Sequence, residues 1–179
     1  NRNMSKKIVI TGGIGYIGTE LCKIYSGISW NNEILVIDNR FISERVNQLR
    51  NWGIDFVHGD ILDKDLINRH CKDADIVHHL AGITDVPRVK NESSKEKDSK
   101  IKLVAEEGTQ NILDAINDKC KIIFPSTHVV YEGIAKVKND ILEEEETKPI
   151  LSYASSKANN EKQIKNSGKN YIILRLGSV

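Results

Sequence analysis

The segment Lys7–Thr11 (KIVIT) runs without a break into Thr11-Gly12-Gly13-Ile14-Gly15-Tyr16-Ile17-Gly18. No other stretch narrows the possible folds as much. A short β-branched apolar run reads as a buried strand, four glycines within seven residues read as a tight turn, and apolar spacing over Tyr16–Ser26 reads as a helix. In that context Gly12 or Gly13, Gly15 and Gly18 allow a sharp turn, close backbone approach to a pyrophosphate, and close helix–strand packing. The helix then directs its unpaired N–H groups and positive dipole end at the phosphates. Strand, glycine turn and helix together predict a dinucleotide-binding α/β fold.

The rest of the chain agrees. Apolar runs at Glu33–Asp38, Asp55–His58, Asp75–Leu80, Lys121–Ser126 and Tyr171–Leu176 alternate with helical spacing at Asp63–Cys71, Lys102–Asn117 and Tyr153–Asn166. Nearly continuous Val and Ile suit strands covered on both faces. The alternation predicts a Rossmann-type, doubly wound parallel sheet with helices on both faces, forming one domain over residues 1–179. Asn1–Asn3, ahead of Met4, read as residues added in cloning. Lys90–Lys102 reads as a loop or the solvated start of a long helix, and Glu143–Glu146 as a solvated surface loop.

Ligands of such a sheet bind at the carboxyl ends of its strands. Asp38 closes the second run, 20 positions after Gly18. There a carboxylate accepts hydrogen bonds from both adenosine ribose hydroxyls and repels a 2′-phosphate, which favours NAD over NADP. Arg40 close by keeps NADP as the lesser alternative. Asp60, closing the third run, either meets the adenine amino group or caps the helix after it.

Composition excludes several classes. With 26 Lys and Arg against 25 Asp and Glu, the net charge is +1. That leaves no global field for nucleic acid or an anionic membrane, so an anionic ligand must be held locally. Cys22, Cys71 and Cys120 are odd in number, far apart and without a CxxC pair. They read as isolated buried thiols of a reducing cytosol, not as disulfides or metal ligands. Adjacent His78 and His79 read as core or turn residues, and no metal site is expected. No apolar run approaches the ~20 residues of a membrane span, and the polar start is no signal peptide. A cytoplasmic location is the expectation.

Tyr153-Ala154-Ser155-Ser156-Lys157 places a phenol and an ammonium four residues apart, on one face of a helix. A nearby cation favours ionisation of a phenol whose ordinary pKa lies near 10. Together with TGGIGYIG, VIDN, HGDI, His79-Leu80-Ala81-Gly82, the helix Gly108–Ala115 (GTQNILDA), Phe124–Tyr131 (FPSTHVVY) and Leu174–Val179 (LRLGSV), this motif resembles the extended short-chain dehydrogenase/reductase family. The resemblance is to its NAD-dependent epimerase/dehydratase branch and covers nearly the whole chain.

That resemblance implies Tyr153 as catalytic acid/base, Lys157 as binder of the nicotinamide ribose and depressor of the tyrosine pKa, and Thr127 as hydrogen-bond partner of the reacting hydroxyl. Ser126 is the lesser candidate for Thr127's task. Cofactor contacts are implied at Gly12, Gly15, Tyr16, Ile17, Gly18, Asp38, Asn39, Asp60, Ile61, Leu80, Ala81 and Gly82, besides Tyr153 and Lys157. The implied activity is NAD-dependent epimerisation of a nucleotide sugar. A reductase, dehydrogenase or dehydratase of the same family is the alternative within the class, and a non-catalytic dinucleotide sensor the alternative outside it. Pairing of two copies through the GT-motif and YxxxK helices is implied as well.

The sequence also departs from the family pattern. His128 and Val129 stand where dehydratases carry acids and decarboxylases a Glu, which disfavours both reactions; His128 reads as non-catalytic. Ala105-Glu106-Glu107 replaces an Asn often found before the GT motif, and Ser178 replaces the usual Asn of the last motif. The family continues into a smaller, substrate-closing domain, which is expected after Val179 and is not present. The chain alone is therefore expected to bind dinucleotide but to lack much of the substrate pocket, and with it turnover.

Overall fold

The computed structural model describes residues 5–28, 31–82, 94–127 and 148–176. Six strands form one all-parallel sheet in the order β3-β2-β1-β4-β5-β6: β1 Lys6–Thr11, β2 Asn32–Asp38, β3 Asp55–His58, β4 Ile76–His79, β5 Lys121–Thr127 and β6 Asn170–Leu176. The helices are α1 Tyr16–Ser26, α2 Ser43–Asn51, α3 Lys64–Cys71, α4 Ser94–Ala115 and α5 Lys148–Asn166. The chain steps outward from β1 to β3, then crosses back to place β4 on the other side of β1. The predicted Rossmann-type fold is the one observed.

Neighbouring side chains on a strand face opposite sides, and β1 shows why Ile8-Val9-Ile10 has no polar position. Ile8 and Ile10 join Cys22, Ile34, Val36, Leu49 and Ile54 in one core. Val9 joins Leu35, Ile37, Val77, Ile112, Ile122, Phe124 and Ile164 in the other. Only the inner strands fully meet this expectation. At the edges β3 is partly exposed, and Tyr171, Ile172 and Leu174 of β6 keep substantial solvent contact.

Sequence periodicity misses α2 and shortens two helices, each for a physical reason. α2 buries only Val46 and Leu49 among nine largely polar residues, so its apolar stripe is two residues wide. Its stop is clearer: Gly53 takes φ +73°, and its N–H reaches the Arg50 carbonyl at 3.0 Å, closing the last turn. α4 begins at Ser94, ahead of its first buried residue among those described, Ile101. The segment from Ser94 to Lys102 is therefore the start of a long helix and not a loop. α5 begins at Lys148, because Pro149 in a first turn lacks only an N–H that has no helical partner there.

All three cysteines are buried and unbonded to one another. Burial pushes the Cys22 and Cys71 thiols up to about 12 and Cys120 to about 11. Among the described residues, no helix is long and apolar enough to cross a membrane, and no cluster of His, Cys, Asp or Glu side chains could hold a metal ion. Asn1–Asn3, His128, Val129, the acidic run at 143–146 and Ser178 lie outside the described residues.

Ile112 of α4 is completely buried against the sheet. Ile112→Ala is expected to lower unfolding free energy by about 2–5 kcal/mol, measured by urea denaturation.

Candidate active site

The reversal of strand order between β1 and β4 opens a crevice at the carboxyl ends of the strands. An open cleft of about 490 Å³ lies there, lined by Gly12, Ile37, Asp38, Asn39, Gly59, Asp60, Ile61, Ala81, Gly82 and Val104. Seven of these, all but Ile37, Gly59 and Val104, are expected contact residues. Val104 comes from α4, and its place here had no signal beyond helical spacing.

The glycine turn is as tight as its sequence requires. Gly12 adopts φ +71°, and a Cβ on it would lie 2.6 Å from the Ala81 nitrogen. A Cβ on Gly18 would lie 2.5 Å from the Gly13 Cα. These are contacts with backbone, which cannot rotate aside. Gly12 therefore makes the turn, while Gly13 packs on Val36. Gly15 precedes the first turn of α1 and offers no side chain to cap its N–H groups; Tyr16 and Ile17 in that turn are exposed. Leu80 differs from the rest of the expected set, since its side chain packs into the core on the α1–α2 face.

Asp38 stands at the cleft with all its acceptor capacity engaged. Its Oδ2 accepts from the Ile14 N–H at 3.2 Å, and its Oδ1 from the Arg40 N–H at 2.9 Å. The Arg40 guanidinium adds Nε to Oδ1 at 3.3 Å and Nη2 to Oδ2 at 3.4 Å. The Asp38 side chain is 1% exposed and that of Arg40 36%. Arg45 braces the same turn by donating to the Ile14 carbonyl.

Asp60 lines the cleft and accepts the Leu62 N–H at 2.9 Å, which turns the chain after β3. The helix cap that Asp60 could have supplied comes instead from Asp63, which accepts the Leu66 N–H at 3.1 Å. The GT motif serves this corner. A Cβ on Gly108 would collide with the Ile61 side chain, and Asn111 Nδ2 donates to the Ile61 carbonyl at 2.9 Å.

Lys157 brings α5 to the opposite end of the crevice. It is buried, with Nζ 4.5 Å from the Phe124 ring centroid and 3.8 Å from where a Cβ on Gly82 would sit. Tyr153 lies on α5 one turn earlier, and Thr127 is the last residue of β5. The side chains of both lie outside the described residues. Ser126, one residue before Thr127, is fully buried, and its hydroxyl has no partner among the described residues.

A buried hydrogen-bond chain, unseen in the sequence, ties these parts together. Thr109 donates its only hydroxyl hydrogen to Asn160 Oδ1 at 3.3 Å. It must then accept from His79 Nε2 at 2.9 Å, so His79 carries its proton on Nε2. His79 Nδ1 accepts from the Thr11 hydroxyl at 2.8 Å, and Thr11 accepts the Ala81 N–H at 3.2 Å. Burial and then the Lys157 charge push the His79 pKa down to about 3, in keeping with a neutral ring. His78, facing the other core, bonds Tyr25 at 2.6 Å and is pushed down by burial to about 4.

Residues 9–174 match the profile of the 3-beta hydroxysteroid dehydrogenase/isomerase family. The chain is 32% identical to UDP-N-acetyl-alpha-D-glucosaminuronate decarboxylase of Bacillus cytotoxicus, over 72% of this chain and 38% of that protein. It is also 32% identical to CDP-paratose 2-epimerase of Salmonella typhi, over 74% of this chain and 40% of that protein. Among solved structures, the enzyme WbmG of Bordetella bronchiseptica, in complex with NAD and UDP, superimposes with a TM-score of 0.69 at 23% identity. That match covers 97% of this chain and 54% of the other. The chain thus spans about two fifths of the two curated relatives' length.

An unfolded chain takes up protons near the ordinary histidine value of 6.5, whereas folded His78 and His79 resist protonation down to about 4 and 3. Stability present above pH 6.5 should therefore fall as pH drops through this window. Each ring contributes a slope approaching about 1.4 kcal/mol per pH unit. Urea midpoints measured from about pH 7 to about pH 5 should decline; a constant midpoint would contradict two neutral buried rings.

Proposed function

Because the chain belongs to the 3-beta hydroxysteroid dehydrogenase/isomerase family, within the extended short-chain dehydrogenases/reductases, we propose that it binds NAD in this crevice and serves the epimerisation of a nucleotide sugar. One observation carries the reading. The crevice at the strand-order reversal joins a glycine turn with no room for a methyl group to a strand-end carboxylate, and the buried lysine of a YxxxK helix lies against Gly82 of its wall. The two relatives are named for different activities, a decarboxylase and an epimerase, but both names specify a nucleotide sugar.

The residues fit the cofactor. Gly12 lines the crevice and Gly15 is half-buried at the start of α1, so backbone rather than side chain meets an approaching pyrophosphate, while buried Gly18 lets α1 pack on Gly13; the first turn of α1 supplies N–H groups and a positive dipole end. Asp38 takes the adenosine ribose, with Asn39 beside it, and Asp60 and Ile61 border the adenine. Ala81 and Gly82 line the path toward the nicotinamide, where Lys157 holds the second ribose. When bound, NAD would supply reversible hydride transfer at a substrate carbon.

Tyr153 takes the proton of the reacting hydroxyl and gives it back, with Lys157 one turn away favouring the phenolate. Thr127 holds that hydroxyl in place through its own. Buried Ser126, whose Oγ has no partner among the described residues, lies one residue from this position. His79 is a positioning residue: through Thr109 and Asn160 it ties the end of β4 to the helix that carries Lys157. Pairing of two copies through α4 and α5 belongs to the same proposal. The family's description, which names a dehydrogenase, supports one-way oxidation or reduction as the second reading. Steady-state accumulation of reduced cofactor would favour it over a cofactor recycled in place.

Calorimetry should show NAD binding, weakened about ten-fold or more by Asp38→Ala through loss of charge-assisted hydrogen bonds. Undiminished binding would place the ribose elsewhere. Turnover of UDP- and CDP-sugars should be assayed with this chain and with any longer protein containing it. Tyr153→Phe should slow turnover by about 10²–10⁴-fold while NAD affinity stays within about two-fold. Unchanged turnover would remove the acid/base assignment.

A further inference from the structure

Resting on the cofactor reading above, we propose that Phe124 is the positioning residue for Lys157, its ring face seating the ammonium at the crevice wall where the lysine is to meet the dinucleotide. Lys157 is 6% exposed, and an ammonium withdrawn from water needs negative potential beside it. Its Nζ lies over the Phe124 ring, 4.5 Å from the centroid. There the negative face of the aromatic quadrupole attracts a cation.

Phe124 can hold that charge in one place because its own ring is fixed by packing. It is completely buried, in one core with Val77, Cys120, Ile122 and Ile164. Its strand, β5, is an inner one, bonded to β4 on one side and β6 on the other. Lysine, by contrast, carries its charge at the end of a flexible four-carbon stem. By sequence Phe124 is one more apolar residue of a buried strand, and its second task shows only in the contact with Lys157.

The seat also lies at the right place. Nζ is 3.8 Å from where a Cβ on Gly82 would sit, and Gly82 lines the crevice. An aromatic face attracts the charge as a whole, whereas a carboxylate oxygen takes up an N–H donor. A ligand therefore need not displace the ring to engage the ammonium. The His79 ring, its centroid 6.0 Å from that of Phe124, is held neutral by its bond to Thr109, so one cation and not two adjoins the phenyl.

Replacement of Phe124 by mono-, di- and trifluorinated phenylalanine tests this. Successive fluorines drain the negative potential from the ring face while the side chain keeps nearly its size and apolarity, so a purely packing role would not respond. Calorimetry should show NAD affinity falling stepwise along the series, by about three- to ten-fold at the trifluorinated ring. In a Lys157→Met background the same replacements should leave NAD affinity within about two-fold, since the interaction they weaken is gone. Constant affinity along the series, or a fall that persists in Lys157→Met, overturns the proposal while leaving the cofactor reading intact. A parent chain that binds no NAD overturns the cofactor reading, and this proposal with it.

Discussion

Everything in this crevice depends on backbone meeting backbone where the turn after β1 touches the chain leaving β4. A Cβ on Gly12 would lie 2.6 Å from the Ala81 nitrogen, and one on Gly18 2.5 Å from the Gly13 Cα. At those separations a methyl group has nowhere to go, and neither neighbour is a side chain that could rotate away. This closeness lets β1 and β4 end side by side at the strand-order reversal. It also aligns α1 with the mouth of the cleft and brings Asp38 within reach of the Ile14 N–H. The glycines are thus requirements of packing before they are features of a ligand site.

Polar links then join that turn to the rest of the site. Asp38 and Arg45 hold Ile14 from its two sides, one through the N–H and one through the carbonyl. Thr11, His79, Thr109 and Asn160 cross from β1 through β4 and α4 to α5 without leaving the core. Because each hydroxyl has one hydrogen to give, the direction of every bond in that chain follows from the last one. The ring is held neutral, and a second cation is kept out of a core that already holds Lys157 over Phe124.

Local features were legible from the residues; convergent ones were not. The glycine turn, the carboxylate closing β2 and the helical spacing of Tyr153 and Lys157 each occupy a few adjacent positions, and physical rules act on such windows directly. By contrast, Thr11 and His79 lie 68 positions apart, and Thr109 and Asn160 lie 51 apart. Nothing in either neighbourhood announces the partner. α2 escaped because a stripe of two buried residues is too short to establish a period, although Gly53 marked its end. The pairing of Arg40 with Asp38 is a middle case. Arg40 is only two positions away, but whether it pairs with the carboxylate or points to solvent depends on the turn between them.

The three thiols have a practical consequence. Cys22 belongs to the core on one side of the sheet, whereas Cys71 and Cys120 belong to the core on the other. With their pKa values pushed well above neutrality, thiolate is scarce in the folded chain, and a thiol reagent must wait for an opening motion. Pulse labelling with an alkylating agent, read residue by residue, would therefore clock each layer separately. The chain carries its own reporters of which side of the sheet loosens first.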